Sequence, residues 1–238
     1  MSNENSEVSN EDRDRLLGEA AGFLVTLGFA MVQHGRKERN GQAVAAGIAV
    51  QTAGDVSSSL RRSIQYREFY SAALLGRQIL EVCQLIKYFG TAPERAEFWL
   101  TASDEEMKKA PDFRPKALRE STRSSHRMYN THCCLGGHPR SMARLLLPGS
   151  PWRRHGSVID LTEAGFDVRT DVKSLLLTDA LQHVYETVLT TIEIMDIDVI
   201  ESFGSSEDSI TNRISELVRG LTYWRDHDPL ARVGSIGV

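Results

Sequence analysis

Between Gln65 and Phe89 the apolar residues return at helical spacing, and that run constrains the fold more than any other part of the chain. Phe69, Ala72, Ala73, Ile79, Leu80, Cys83 and Ile86 share one face at a period of about 3.6 residues. A second row, Tyr70, Leu74, Arg77, Glu81, Leu85 and Tyr88, adjoins it. A helix with apolar residues on both rows is enclosed on more than one side, so this segment is predicted to be the central helix. Arg77 and Glu81, four positions apart, are then partly buried and need each other or another partner.

The rest of the chain follows the same grammar. Ser9 with Asp12 three positions on has the spacing of a capping box and opens a helix to about Arg39; Asn40-Gly41 marks a turn. An Ala-rich helix is expected over residues 42–62, and the central helix ends at Gly90. Pro93 suits the first turn of a short helix through Leu100, and Ser103 with Glu106 marks another start. A helix from Lys116 to Leu135 stops at Gly136-Gly137, and one opening at Pro139 runs through Leu147. Residues 148–171 form a long connection, with a short extended piece at Ser157–Leu161. Two helices, Val172–Phe203 and Glu207–Asp226, close the chain. The expectation is an all-α fold: residues 1–10 as a disordered tail, and 11–238 as a single-domain bundle of about seven or eight helices.

Composition narrows the class. With 238 residues, 41% hydrophobic and 25% charged, the chain can bury one substantial core without needing a second domain. The most apolar early stretch, Ala20–Val32, is short for a bilayer span and follows acidic residues where a signal peptide would have basic ones. Three Cys, two of them adjacent, argue against a disulfide framework, so a cytoplasmic location with no membrane contact is expected.

The net charge of -4 hides an asymmetry. From Arg114 to Arg154 there are nine basic residues, Arg114, Lys116, Arg119, Arg123, Arg127, Arg140, Arg144, Arg153 and Arg154, against the single acid Glu120. That segment carries +8, leaving -12 for the remainder. Lys116, Arg119, Arg123, His126 and Arg127 fall on one helical stripe, and the Arg fork suits phosphate or carboxylate. Tyr129 and Trp152 add aromatic surface on which a base could stack. RNA or a nucleotide is the partner this pattern fits. The competing reading is internal pairing with Glu186, Glu193, Asp196, Asp198 and Glu201.

Residues 126–139 hold three of the seven His and two of the three Cys. Adjacent Cys133 and Cys134 diverge by about 100° on a helix and cannot readily share one zinc ion. No metal and no cofactor is expected. A cysteine nucleophile beside His132 or His138 competes with the ordinary role of helical Cys as small buried hydrophobes. For RNA cleavage without metal, His132 would exchange the proton of a ribose 2'-hydroxyl while Arg127 steadies the phosphate.

Arg127 and His132, with four residues between, and Arg119 and His126, with six, resemble the Arg–His pair of nucleases of the higher-eukaryote-and-prokaryote nucleotide-binding class. In a chain this rich in Arg, about two such pairs arise by chance. The resemblance implies an all-helical, dimeric, metal-independent ribonuclease of a bacterial defence or toxin type. Arg77-Gln-Ile-Leu-Glu81, followed by Tyr129-Asn-Thr-His132 and His138-Pro139, also resembles a group of uncharacterised bacterial helical proteins. That resemblance, over residues 65–145, implies that the two segments face each other across a polar pocket. Catalytic candidates are therefore His132, Arg127, Arg77, Glu81 and His138, and the binding candidates are the basic residues from Lys116 to Arg154. A non-catalytic module that binds a protein partner, or a structural helical dimer, is the alternative. Self-association through the Ala-rich second helix and the C-terminal helices is expected.

Overall fold

The computed structural model of the chain describes residues 8–122, 146, 158–160, 169–195 and 210–231. Among them the fold is all-α: helices α1 (Asn10–Glu38), α2 (Gly41–Gln65), α3 (Phe69–Thr91), α4 (Pro93–Thr101), α5 (Asp104–Lys109), α6 (Pro115–Thr122), α7 (Val172–Ile194) and α8 (Ile210–His227). A 3-10 turn, Pro111–Phe113, precedes α6. A short antiparallel pair, β1 (Val158–Asp160) and β2 (Arg169–Asp171), leads into α7, with Ile159 opposite Thr170.

Helix ends follow local chemistry. The Ser9 side chain accepts the Asp12 N–H at the start of α1, but the Asp12 carboxylate takes the Ser9 hydroxyl rather than its backbone N–H. One methylene longer, Glu106 closes the full reciprocal box at α5 by accepting from the Ser103 backbone N–H at 2.8 Å. The turn after α1 has its left-handed residue at Arg39 (φ 54°), and Asn40 then caps α2 by accepting from Ala43 N–H.

Several boundaries differ from expectation. Helix α2 continues to Gln65, and the reversal into α3 occurs over 66–68 with Arg67 at φ 61°, where no Gly or Pro announces it. Helix α3 ends at Thr91, one residue past the expected stop at Gly90. A Cβ on Gly90 would collide with Ile194 Cγ2, so the role of that glycine is close approach to α7. Helix α7 stops at Ile194, short of the expected Phe203, because Met195 turns into extended backbone and is buried. The expected helices beyond Thr122 and through Leu147 lie outside the described residues, apart from Leu146, which is in the core.

Helix α2 packs against α1, α3, α4 and α7, and α7 packs against α1, α2, α3 and α8. The most enclosed helix is α7 rather than α3: from Ser174 to Thr191 its buried residues leave only a partly exposed stripe through Leu175, Asp179, Gln182, Glu186 and Leu189. Two of its buried hydroxyls are satisfied within the helix, Thr187 donating to the His183 carbonyl and Thr191 to that of Thr187, both at 2.7 Å, while buried Thr178 donates to Asp228 at 3.4 Å. The expected apolar face of α3 is buried throughout.

The small residues of α2 meet α1 of the same chain. A Cβ on Gly47 would lie 2.8 Å from the Gly28 carbonyl oxygen and from Val32 N. The Ala-rich face is thus packed inside the molecule, against α1. Helix α1 is long and apolar enough, at a mean hydropathy of 1.5 over its best window, to cross a membrane by length and composition, unlike the sequence expectation. Half of that window is buried within the bundle.

Candidate functional site

Of the two segments expected to face each other across a pocket, Arg77–Glu81 lies on α3 and residues 129–139 lie outside the described residues; the basic run begins on α6. On α3 the spacing of four brings Arg77 and Glu81 together: Arg77 Nε donates to Glu81 Oε1 at 2.9 Å, with both side chains between a quarter and a third exposed. The expected pairing is present. Two turns along the same stripe, Tyr88 donates to Asp112 Oδ2 at 2.9 Å, and Arg95 Nε donates to the same oxygen at 2.6 Å. The Phe113 ring meets Tyr88 edge-on and stacks on Phe98, and the Arg95 guanidinium lies over both phenyl rings. This clamp fixes the 3-10 turn and therefore the start of α6, which packs on α3.

Burial of Asp112 opposes its charge, but the hydrogen bonds from Tyr88 and Arg95 prevail and hold its carboxyl below the usual range. Burial, with Asp112 beside it, pushes the Tyr88 hydroxyl up.

On α6, Pro115 takes the first helical position, and Leu118 and Thr122 turn inward. Lys116 faces outward at 80% exposure, with Glu120 its ion-pair partner at 3.9 Å. Such a pair is weak in water. Arg119 is half-buried. Of the acids that might have neutralised the basic run, Glu186 accepts a hydrogen bond from Gln182 at 2.9 Å, and Glu193 is exposed. Among the described residues no ion pair joins either to a basic side chain.

Arg77, Glu81, Lys116 and Arg119 are thus placed, on two helices in contact. Arg123, Arg127, His132, His138, Arg140, Arg144, Arg153 and Arg154 lie outside the described residues, as do Tyr129, Cys133, Cys134, Asp196, Asp198 and Glu201. Among the described residues no group of three His, Cys, Asp or Glu could hold a metal ion. Cys83 is buried between α3 and α7, and desolvation, with Glu186 nearby, pushes its thiol up to about 11, so it is a poor nucleophile.

Two features escaped sequence reasoning. Arg13 and Asp228, 5% and 0% exposed, form a bidentate pair: Nε to Oδ2 at 2.6 Å and Nη2 to Oδ1 at 2.9 Å. Asp228 also accepts from Trp224 Nε1 at 2.8 Å and from the Leu230 N–H at 2.9 Å. Partial desolvation opposes the charge of Asp228, but Arg13 and these donors hold its carboxyl below the usual range. The clasp ties the start of α1 to the end of α8. Trp224 and Asp228 at i, i+4 were legible as a local pair; nothing in the sequence joined them to Arg13.

Beside the clasp, α1 and α8 bound a groove of about 600 Å³. Leu16, Phe23, Leu217 and Trp224 line it with apolar surface. Its polar lining is Asp12, Arg15, Glu19, Arg213 and Glu216. Arg15 is closed off by Glu19 at 2.9 Å and Asp12 at 3.7 Å, and the Arg213 guanidinium lies over the Phe23 ring.

No family model, curated protein or solved structure matches the chain.

Proposed function

We propose that the chain binds RNA through the basic segment 114–154 and cleaves it without a metal ion. One observation carries the binding half of this reading. Where the basic run is described, on α6, Lys116 points into solvent with Glu120 its loose partner at 3.9 Å, and among the described residues neither Glu186 nor Glu193 forms an ion pair with a basic side chain. Exposed cations in excess attract a polyanion, and each phosphate contact releases counterions. In the catalytic half, His132 exchanges the 2'-hydroxyl proton and Arg127 stabilises the phosphate. His138, with the Arg77–Glu81 pair on the helix that α6 packs against, orients groups around them. Held by each other at 2.9 Å, Arg77 and Glu81 present a fixed donor and acceptor rather than two mobile charges.

The test is retention and cleavage of end-labelled single-stranded RNA, with and without EDTA. We expect EDTA to have no effect, and His132→Ala to keep binding but lose turnover. Lys116→Glu with Arg123→Glu should weaken binding and lower the slope of log affinity against log salt by roughly 0.7 per lost phosphate contact. Wild-type protein that neither retains nor cuts RNA would sink the proposal.

A second reading, a non-catalytic module that binds protein, is favoured by the α1–α8 groove, whose apolar floor and mixed-charge rim lie on helices remote in sequence from segment 114–154. Under that reading no turnover occurs with any RNA.

A further inference from the structure

We infer that the buried amide of Gln84 binds the edge of a nucleobase, which rests on the RNA reading above and adds to it a contact with the base itself. Gln84 is 2% exposed. Among the described residues neither its Oε1 nor its Nε2 has a hydrogen-bond partner. A buried amide without partners has given up its water and gained no bond in return, so it works against the stability of α3. A methionine, similar in length and apolar, would fill the space without that cost. The amide is accounted for if a ligand supplies the missing bonds.

Its place on the helix says where that ligand comes from. Arg77, Glu81, Gln84 and Tyr88 follow one another at offsets of four, three and four, so they share one side of α3. Tyr88 ties that side to Asp112 and Phe113, directly before the basic run. Solvent reaches it at Arg77 and Glu81, whose side chains are 24% and 31% exposed. A base that enters past this pair finds the amide one turn beyond Glu81.

The chemistry of the two open atoms selects the ligand. An amide sets an acceptor oxygen beside a nitrogen that donates. A phosphate oxygen only accepts, so it would satisfy Nε2 and strand Oε1. A cation would take Oε1 and strand Nε2. The edge of a base carries a donor next to an acceptor and satisfies both atoms at once, as adenine does with N6–H beside N7. A single bridging water could also serve both, and stability separates that case from an amide left open: removing a water-bridged amide costs stability, removing an unpaired one does not.

The test is binding of labelled 2'-O-methyl oligoadenylate, which has no free 2'-hydroxyl for the proposed cleavage, and of an abasic oligomer with the same backbone and length. The full chain is compared as wild type, Gln84→Met and, as a control, Gln78→Met on the exposed side of the same helix. Gln84→Met should bind oligoadenylate about tenfold more weakly than wild type, as expected for a lost bidentate base contact, and the abasic oligomer equally well. Gln78→Met should bind both as wild type does. Without RNA, the thermal midpoint of Gln84→Met should match or exceed that of wild type, which also establishes that the variant folds. A lower midpoint overturns the inference. So does equal binding of oligoadenylate by Gln84→Met and wild type, or an equal loss on both oligomers, which would put the effect on the backbone and not the base. A wild type that retains neither oligomer sinks the RNA reading and this contact together; one that binds both, with Gln84→Met unchanged, sinks the base contact alone.

Discussion

Single residues decide how α8 is held. Asp228 has no exposed surface and satisfies donors from Arg13, Trp224 and Leu230. Removing Arg13 would strand that carboxylate in the interior, so Arg13→Ala is expected to cost about 3–5 kcal/mol in urea unfolding. Arg13→Met combined with Asp228→Asn removes both charges and keeps an acceptor for Trp224, so it should cost clearly less. The same carboxylate sets an acid limb. Asp228 and Asp112 both have folded values below the ordinary 3.8, so the folded state holds fewer protons than the unfolded chain. Their stabilisation is complete above that ordinary value and is lost as pH falls through the lowered folded one. The urea midpoint should therefore decline below about pH 4, and Asp228→Asn should flatten part of that decline.

Between elements, the same substitution has opposite effects according to what faces it. Helices α1 and α2 approach closely enough that a methyl on Gly47 would press on the α1 backbone at Gly28 and Val32. Gly47→Ala is expected to destabilise by about 1–3 kcal/mol through overpacking. Gly22, also on α1, has nothing within 4 Å of a Cβ, and Gly22→Ala should stabilise by up to about 1 kcal/mol through helix propensity. Thermal unfolding of the two variants gives the two signs directly. Helix α3 shows how far periodicity reaches at this scale. Its apolar face and the Arg77–Glu81 pair lie where their spacing put them, because both depend on residues three or four apart. Its enclosure was overestimated: Leu74 is exposed, and the better-enclosed helix is α7, whose buried threonines disguise it as half polar.

At the scale of the whole molecule, what the chain determined by itself was its helices. Ser9, Asn40 and Ser103 cap within three residues, Pro93 and Pro115 open helices at their first position, and apolar rows recur within a turn. Each of these is a local hydrogen bond or a local repeat, so neighbouring letters suffice to read it. The basic run 114–154 was equally legible, because charge is a property of composition. Tertiary structure alone decided the rest: that Gly47 and Gly54 of α2 pack against α1, that Arg13 meets Asp228 across 215 residues, and that α1 and α8 leave a groove between them. Those outcomes depend on which helices pack together and how closely. Shape complementarity between distant segments sets that choice, and no local spacing encodes it.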